Sequence, residues 1–146
     1  MIRTPREIVE QVGRMAAGES VDFAALFAAD GVLRYPFAPP GTPRELRGRD
    51  AIRAFHDPVE LRRSRMLDVE GADVIVRATD DPEIVIAEVE HYGHSYATGR
   101  PYRFRLLGVI RVRNGEIVSY DDYIDPIAMA TLFGRTADLI ATLSTP

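Results

Sequence analysis

YRFRLLGVIRVRNGEIVSYDDYI, residues 102–124, is the stretch that decides the fold. Valine, isoleucine, leucine and aromatic residues crowd both halves, and Asn114-Gly115 between them is a strong two-residue hairpin signal. The expectation is two long antiparallel strands, over 102–113 and 116–124. Working back from there, residues 84–92 and 73–79 are also strand-like, with the turn Asp80-Asp81-Pro82 between them. Glycine, serine and threonine mark a loop over 93–99. Pro126 breaks the sheet, and the apolar segment 127–140 reads as a helix packing back onto it.

The N-terminal half reads differently. Thr4-Pro5-Arg6-Glu7 combines an N-cap, a proline at the first helical position and a capping-box acid. Ile8, Val9, Val12, Met15 and Ala16 then recur at helical spacing up to Gly18. Ser20 can cap a second short helix carrying Phe23, Leu26 and Phe27, ended by Asp30-Gly31, with a strand over 32–37. The prolines of 38–43 make that stretch a loop. A third helix is expected over 50–56, with Ile52 and Phe55 inward and His56 serving the helix dipole at its C-terminal end. Residues 59–66 give no clear element. Helices first and a meander of strands afterwards indicate one α+β domain over residues 1–146.

Composition narrows the chemistry. The chain has 146 residues, 46% hydrophobic and 27% charged, the profile of a globular protein. No apolar run approaches the roughly 20 residues that span a bilayer, and no signal-peptide core is evident, so a cytoplasmic, membrane-free protein is expected. There is no cysteine, hence no thiolate nucleophile or thiolate metal site. All 18 basic residues are arginine; without lysine a Schiff base or lysine-bound pyridoxal phosphate is excluded. A net charge of −4 speaks against nucleic acid. Arginines cluster at Arg62, Arg63 and Arg65 and at Arg100, Arg103 and Arg105, each group reading as a solvated or salt-bridged face.

If the Asn114-Gly115 hairpin runs without interruption, Arg111 faces Val118, Val109 faces Tyr120 and Leu107 faces Asp122, with Arg105 diagonal to Asp122. Asp122 then lies among Leu107, Val109 and Ile124, raised in pKa by desolvation and lowered by Arg105. Two readings follow: a tuned acid/base, or a solvated aspartate paired with Arg105. Ile84, Ile86, Glu88, Glu90 and Tyr92 share one face of their strand. Glu88 and Glu90 are either neighbouring acids at a pocket mouth or an exposed strand end paired with Arg103 or Arg105. His91 and His94 invite a metal, but His-x-x-His across a strand end aims the two imidazoles apart, so no metal site is expected. No phosphate loop, dinucleotide fingerprint or Ser-His-Asp pattern occurs, and no cofactor is expected.

The stretches FAADGVLRYPFAPPGTPRELRGRDAIRAF and TGRPYRFRLLGVIRVRNGEIVSYDDYIDP resemble the nuclear-transport-factor-2-like superfamily, specifically its SnoaL-like members. That group includes polyketide cyclases, ketosteroid isomerase, limonene epoxide hydrolase, phenazine-biosynthesis proteins and non-enzymatic binding domains. The resemblance implies a cone of helices against a strongly curved antiparallel sheet, a deep apolar pocket and a homodimer. Phe104, Leu106 and Ile110, read on the outer face of the long sheet and too apolar for water, would be the contact surface of that dimer. The second stretch is most similar to limonene epoxide hydrolase, whose water-activating Asp-Arg-Asp set falls here on Asp122, Glu88 and Glu90, so that its arginine is missing. The water-holding tyrosine and asparagine of that family fall on Leu33 and Tyr35. In the phenazine proteins an acid also matches Asp122, and their histidine falls on Phe55.

Together these readings lead to a cofactor-independent cyclase or isomerase acting on an apolar oxygenated small molecule of polyketide or other secondary metabolism. Asp122 would move the proton, assisted by Glu90 and Glu88. Tyr35 and Tyr120 would hold the substrate oxygen, Arg105 would bias Asp122 toward its charged form, and Leu33, Leu107 and Val109 would line the pocket. The alternatives are an epoxide hydrolase and a non-catalytic small-molecule-binding module.

Overall fold

The computed structural model describes residues 2–144. In chain order it contains α1 (Pro5–Ala16), a 3₁₀ turn (Ala24–Leu26), β1 (Phe27–Arg34), β2 (Glu45–Arg47) and α2 (Arg49–Met66). Then follow β3 (Leu67–Ala78), β4 (Ile84–Ser95), β5 (Pro101–Arg113), β6 (Glu116–Tyr123), α3 (Pro126–Leu132) and α4 (Thr136–Ser144). All six strands form one sheet in the order β2-β1-β6-β5-β4-β3. Its pairs are antiparallel except β1 with β6. The architecture is α+β, as expected.

The α1 helix begins as its sequence dictates, with the Thr4 hydroxyl accepting from the Glu7 backbone N–H at 3.2 Å. Ile8, Val9, Val12 and Ala16 are buried in a core shared with Val85, Ala87, Val89, Ile110, Val112 and Ile117 of the sheet. That assigns the odd positions of β4 and the even positions of β5 to the inner face.

Three elements differ from expectation. Residues 20–30 form no second helix: one 3₁₀ turn leads straight into β1, which starts at Phe27. Phe27 pairs with Ile117 of β6, and at Gly31 an added Cβ would lie 2.8 Å from the Ile117 carbonyl, so sheet pairing overrides the helical spacing. The third helix does not stop at His56 but runs through Pro58 to Met66. Pro58 removes one helical donor there. The extension is anchored where Arg63 donates to the carbonyls of Met15 (2.7 Å) and Ala16 (3.1 Å) at the end of α1. The C-terminal segment is two helices, divided at Gly134, whose φ of +66° is left-handed.

The hairpin also carries a correction. The turn is where it was expected, with Asn114 and Gly115 both at positive φ and Arg113 opposite Glu116. The register then slips: Val112 pairs with Ile117 but Arg111 pairs with Ser119, leaving Val118 as the extra residue of a β-bulge. Beyond it Ile110 faces Tyr120 and Gly108 faces Asp122, where an uninterrupted hairpin would have placed Val109 and Leu107.

Candidate functional site

The bulge turns both Tyr120 and Asp122 to the concave side of the sheet. Pairing of β1 with β6 sets Leu33 beside Tyr120 and Arg34 beside Asp121, so the next residue, Tyr35, arrives beside Asp122. Strand alternation sends Asp121 outward, where it accepts from Arg34 at 2.9 Å. Asp122 points instead into a cavity of about 480 Å³, within the usual range for small-molecule sites. Tyr35, Asp122 and Ile124 contribute its floor; Phe55, Val59, Arg62, Arg63 and Met66 form the α2 wall. The loop 37–42 and residues of α3 and α4, among them Met129, Ala130 and Leu139, complete the enclosure.

Asp122 is half-buried by surface area because the cavity reaches it, yet protein surrounds it on its other sides. Burial alone pushes its carboxyl up to about 7 from the ordinary 3.8. Two tyrosines flank it. Tyr35 is raised by burial and by the neighbouring Asp122 charge, and so keeps its proton. Tyr120, 5% exposed, is raised well above its ordinary value by burial first, then by Asp122 and Tyr35. Its ring leans over Gly108, where an added Cβ would lie 2.9 Å from the hydroxyl oxygen. Because Gly108 is the cross-strand partner of Asp122, glycine there lets the phenol reach toward the carboxyl. The result is one ionisable carboxyl between two phenols that remain donors.

The other expected site residues lie elsewhere. Glu88 and Glu90 occupy even positions of β4, on the convex face, and take the exposed-strand reading. Glu88 pairs with Arg77 at 3.0 Å; Glu90 pairs with Arg103 at 2.7 Å and Arg105 at 3.2 Å. The hydrogen bond from Arg103 is the main reason that Glu90 titrates below its ordinary value. Arg105 therefore does not bias Asp122. Leu107 and Val109, odd positions of β5, are half-buried on the convex face too, not in the pocket. Leu33 and Tyr120 are buried in the core and do not line the cavity, so Tyr120 neighbours Asp122 without facing the space a substrate would fill.

Two histidines acquire settings the sequence did not announce. His56 sits mid-helix, its ring 4.3 Å from that of Phe23, and burial lowers its pKa. His91 is inward and 3% exposed, with Nδ1 2.9 Å from the Tyr102 hydroxyl; burial, reinforced by Arg63, lowers it to about 4. His94 points to the opposite face and meets Glu70 at 2.5 Å. Among the described residues no three metal-ligating side chains converge. Phe55 and Met66 were legible as apolar; their placement on the pocket wall required knowing how far α2 runs.

Residues 8–120 match the SnoaL-like domain, and the chain belongs to this family. Among curated relatives, the uncharacterized protein YesE of Bacillus subtilis is 34% identical over 75% of this chain and 72% of its own. An uncharacterized PhzA/B-like protein of Pseudomonas aeruginosa is 30% identical over 82% of each chain. Among solved structures, a proposed isomerase from Bacillus subtilis superposes with a TM-score of 0.69 at 28% identity, covering 90% of this chain and 95% of its own. A Catenulispora acidiphila protein with a ketosteroid isomerase-like fold shares the architecture, with a TM-score of 0.65 at 24% identity over 99% of this chain and 100% of its own.

Proposed function

We propose that this chain is an acid/base enzyme, a cyclase or isomerase, that moves a proton on an apolar oxygenated small molecule. The observation that carries the reading is the unpaired Asp122 carboxyl in a largely apolar pocket, beside Tyr35 and Tyr120. A group titrating near 7 can both take and return a proton at neutral pH. Tyr35, which lines the cavity, donates to a substrate oxygen on which negative charge develops, and the apolar walls hold the substrate while excluding water. No cofactor enters, because proton transfer at a positioned substrate needs none. SnoaL-like kinship favours polyketide or other secondary metabolism.

The test is exchange of α-protons of apolar ketones and β-keto esters in D₂O, followed by NMR. With Asp122 as base, exchange rises with pH through about 7 and then levels, since only the ionised form accepts. Absence of exchange above the buffer rate across the set would overturn the proposal. Once a substrate is known, turnover in ¹⁸O-labelled water separates the alternatives. Unlabelled product supports cyclisation or isomerisation, whereas label in a new hydroxyl restores the hydrolase.

We also propose a homodimer, on altered grounds. Phe104, Leu106 and Ile110 were expected on the outer face but point inward, Phe104 and Ile110 being buried. The convex face instead carries Ile86 paired with Val109, and Leu107 paired with Tyr123, whose ring meets Phe37 at 5.2 Å. Light scattering at micromolar concentration should give twice the chain mass, and Val109→Arg should halve it. A monomeric wild type contradicts the dimer.

A further inference from the structure

The pocket's charges are unevenly placed. Asp122 is the acid on the pocket's sheet side, and three arginines line it elsewhere: Arg62 and Arg135 exposed at the rim, and Arg63, 13% exposed, set deeper on α2. Arg63 is committed to the end of α1 and to Glu60 at 2.8 Å. Arg135 meets Asp138 at 3.3 Å, with both side chains more than half exposed (58% and 71%), a loose pair of little strength. Arg62 has no acid within ion-pair distance among the described residues. With Glu60 offsetting Arg63 and Asp138 offsetting Arg135, Arg62 leaves the mouth with an unmatched positive charge. Between mouth and floor the lining is apolar, including Phe55, Val59, Met129 and Phe133.

We propose that the pocket takes an apolar small molecule bearing a carboxylate, with the anionic group held at the mouth by Arg62 and Arg135 and the apolar body extending toward Asp122. Arginine suits this task because its planar fork meets a carboxylate with two donors. The reverse orientation would bring the carboxylate against Asp122, where two like charges share a poorly solvated site. The reacting carbon is therefore remote from the carboxylate. This orientation rests on the acid/base reading of Asp122; binding at the mouth does not.

The probes are 1-anilinonaphthalene-8-sulfonate and N-phenyl-1-naphthylamine, which share an aromatic body and differ by the sulfonate. Fluorescence titration should show that they displace one another and that the anionic probe binds about tenfold more tightly at low salt. The double variant Arg62→Gln/Arg135→Gln should remove that preference and leave the neutral probe unchanged, which also shows that the pocket is intact. The wild type supplies the same test without mutation: raising salt to about 0.5 M should weaken only the anionic probe. Equal affinities, independent binding of the two probes, or a preference insensitive to both salt and the substitutions would overturn the proposal. Failure of the acid/base reading would appear separately, as proton exchange unaffected by Asp122→Asn.

Discussion

Replacing Asp122 with asparagine will lower turnover by roughly 10²–10⁴-fold, the usual worth of a positioned acid/base, and will make the protein more stable at about pH 8. The second effect follows from linkage. Asp122 titrates at about 7 in the folded protein against 3.8 ordinarily, so the folded state holds this proton more tightly than the unfolded chain does. Its contribution to stability is fully favourable below pH 4 and is lost as pH rises from there through 7. By about pH 8 a buried carboxylate without a cation costs on the order of 2–4 kcal/mol, the lower figure allowing for water that reaches it through the cavity. Asparagine carries no such cost. Urea melts at about pH 8 and pH 4 should therefore show a stabilised variant at the first and near-equality at the second. Asp121→Asn is the control, since it removes only the surface pair with Arg34 and should change stability by less than about 1 kcal/mol. Equal loss of activity in both variants, or a destabilised Asp122→Asn protein at pH 8, would contradict the assignment.

Gly93→Ala should be among the most damaging single substitutions in the sheet. An added Cβ would lie 1.9 Å from the Asp68 carbonyl oxygen and 2.9 Å from the Glu70 nitrogen, both backbone atoms of the neighbouring strand. A side chain can swing aside; a paired strand cannot without opening its ladder. Gly93 stands where the β3–β4 register shifts between Val69 and Gly71, which is why the two backbones come so close. We expect a loss of at least about 3 kcal/mol, seen as a lower urea midpoint. Gly134→Ala provides the contrast: nothing lies within 4 Å of its added Cβ, but its φ is +66°. It should cost only about 1–2 kcal/mol, the penalty of a left-handed residue. A Gly93→Ala protein more stable than Gly134→Ala would contradict this account.

Local signals in the sequence revealed much of this molecule. The Thr4 cap, the Asn114-Gly115 turn and the period-two runs of β4, β5 and β6 each depend on neighbours a few residues away, and they located those elements to within a few positions. What was not legible depended on distant contacts. The β1 strand exists because β6 accepts it as a parallel neighbour, and α2 outlasts Pro58 while tied to α1 through Arg63. For the site, Asp122 and Tyr35 were readable; Tyr120 and Leu33 belong to the core, and Glu88, Glu90, Arg105, Leu107 and Val109 were assigned to the wrong side. Nothing near Val118 in the sequence announces a bulge, and the error in β5 came from that one residue.

Val118 can also be seen as a matter of parity. Along a strand, even and odd positions belong to opposite worlds, one wet and one enclosed, and a single extra residue exchanges them for everything downstream. The pocket's one deep acid is thus set by counting as much as by chemistry. Removing Val118 alone would close the bulge and leave Ser119 opposite Arg111 and Asp122 opposite Gly108, so the acid would stay inside. Pairing Val118 in the ladder in place of skipping it would instead bring Asp122 opposite Leu107 and onto the convex face, inverting the site without altering any of its side chains.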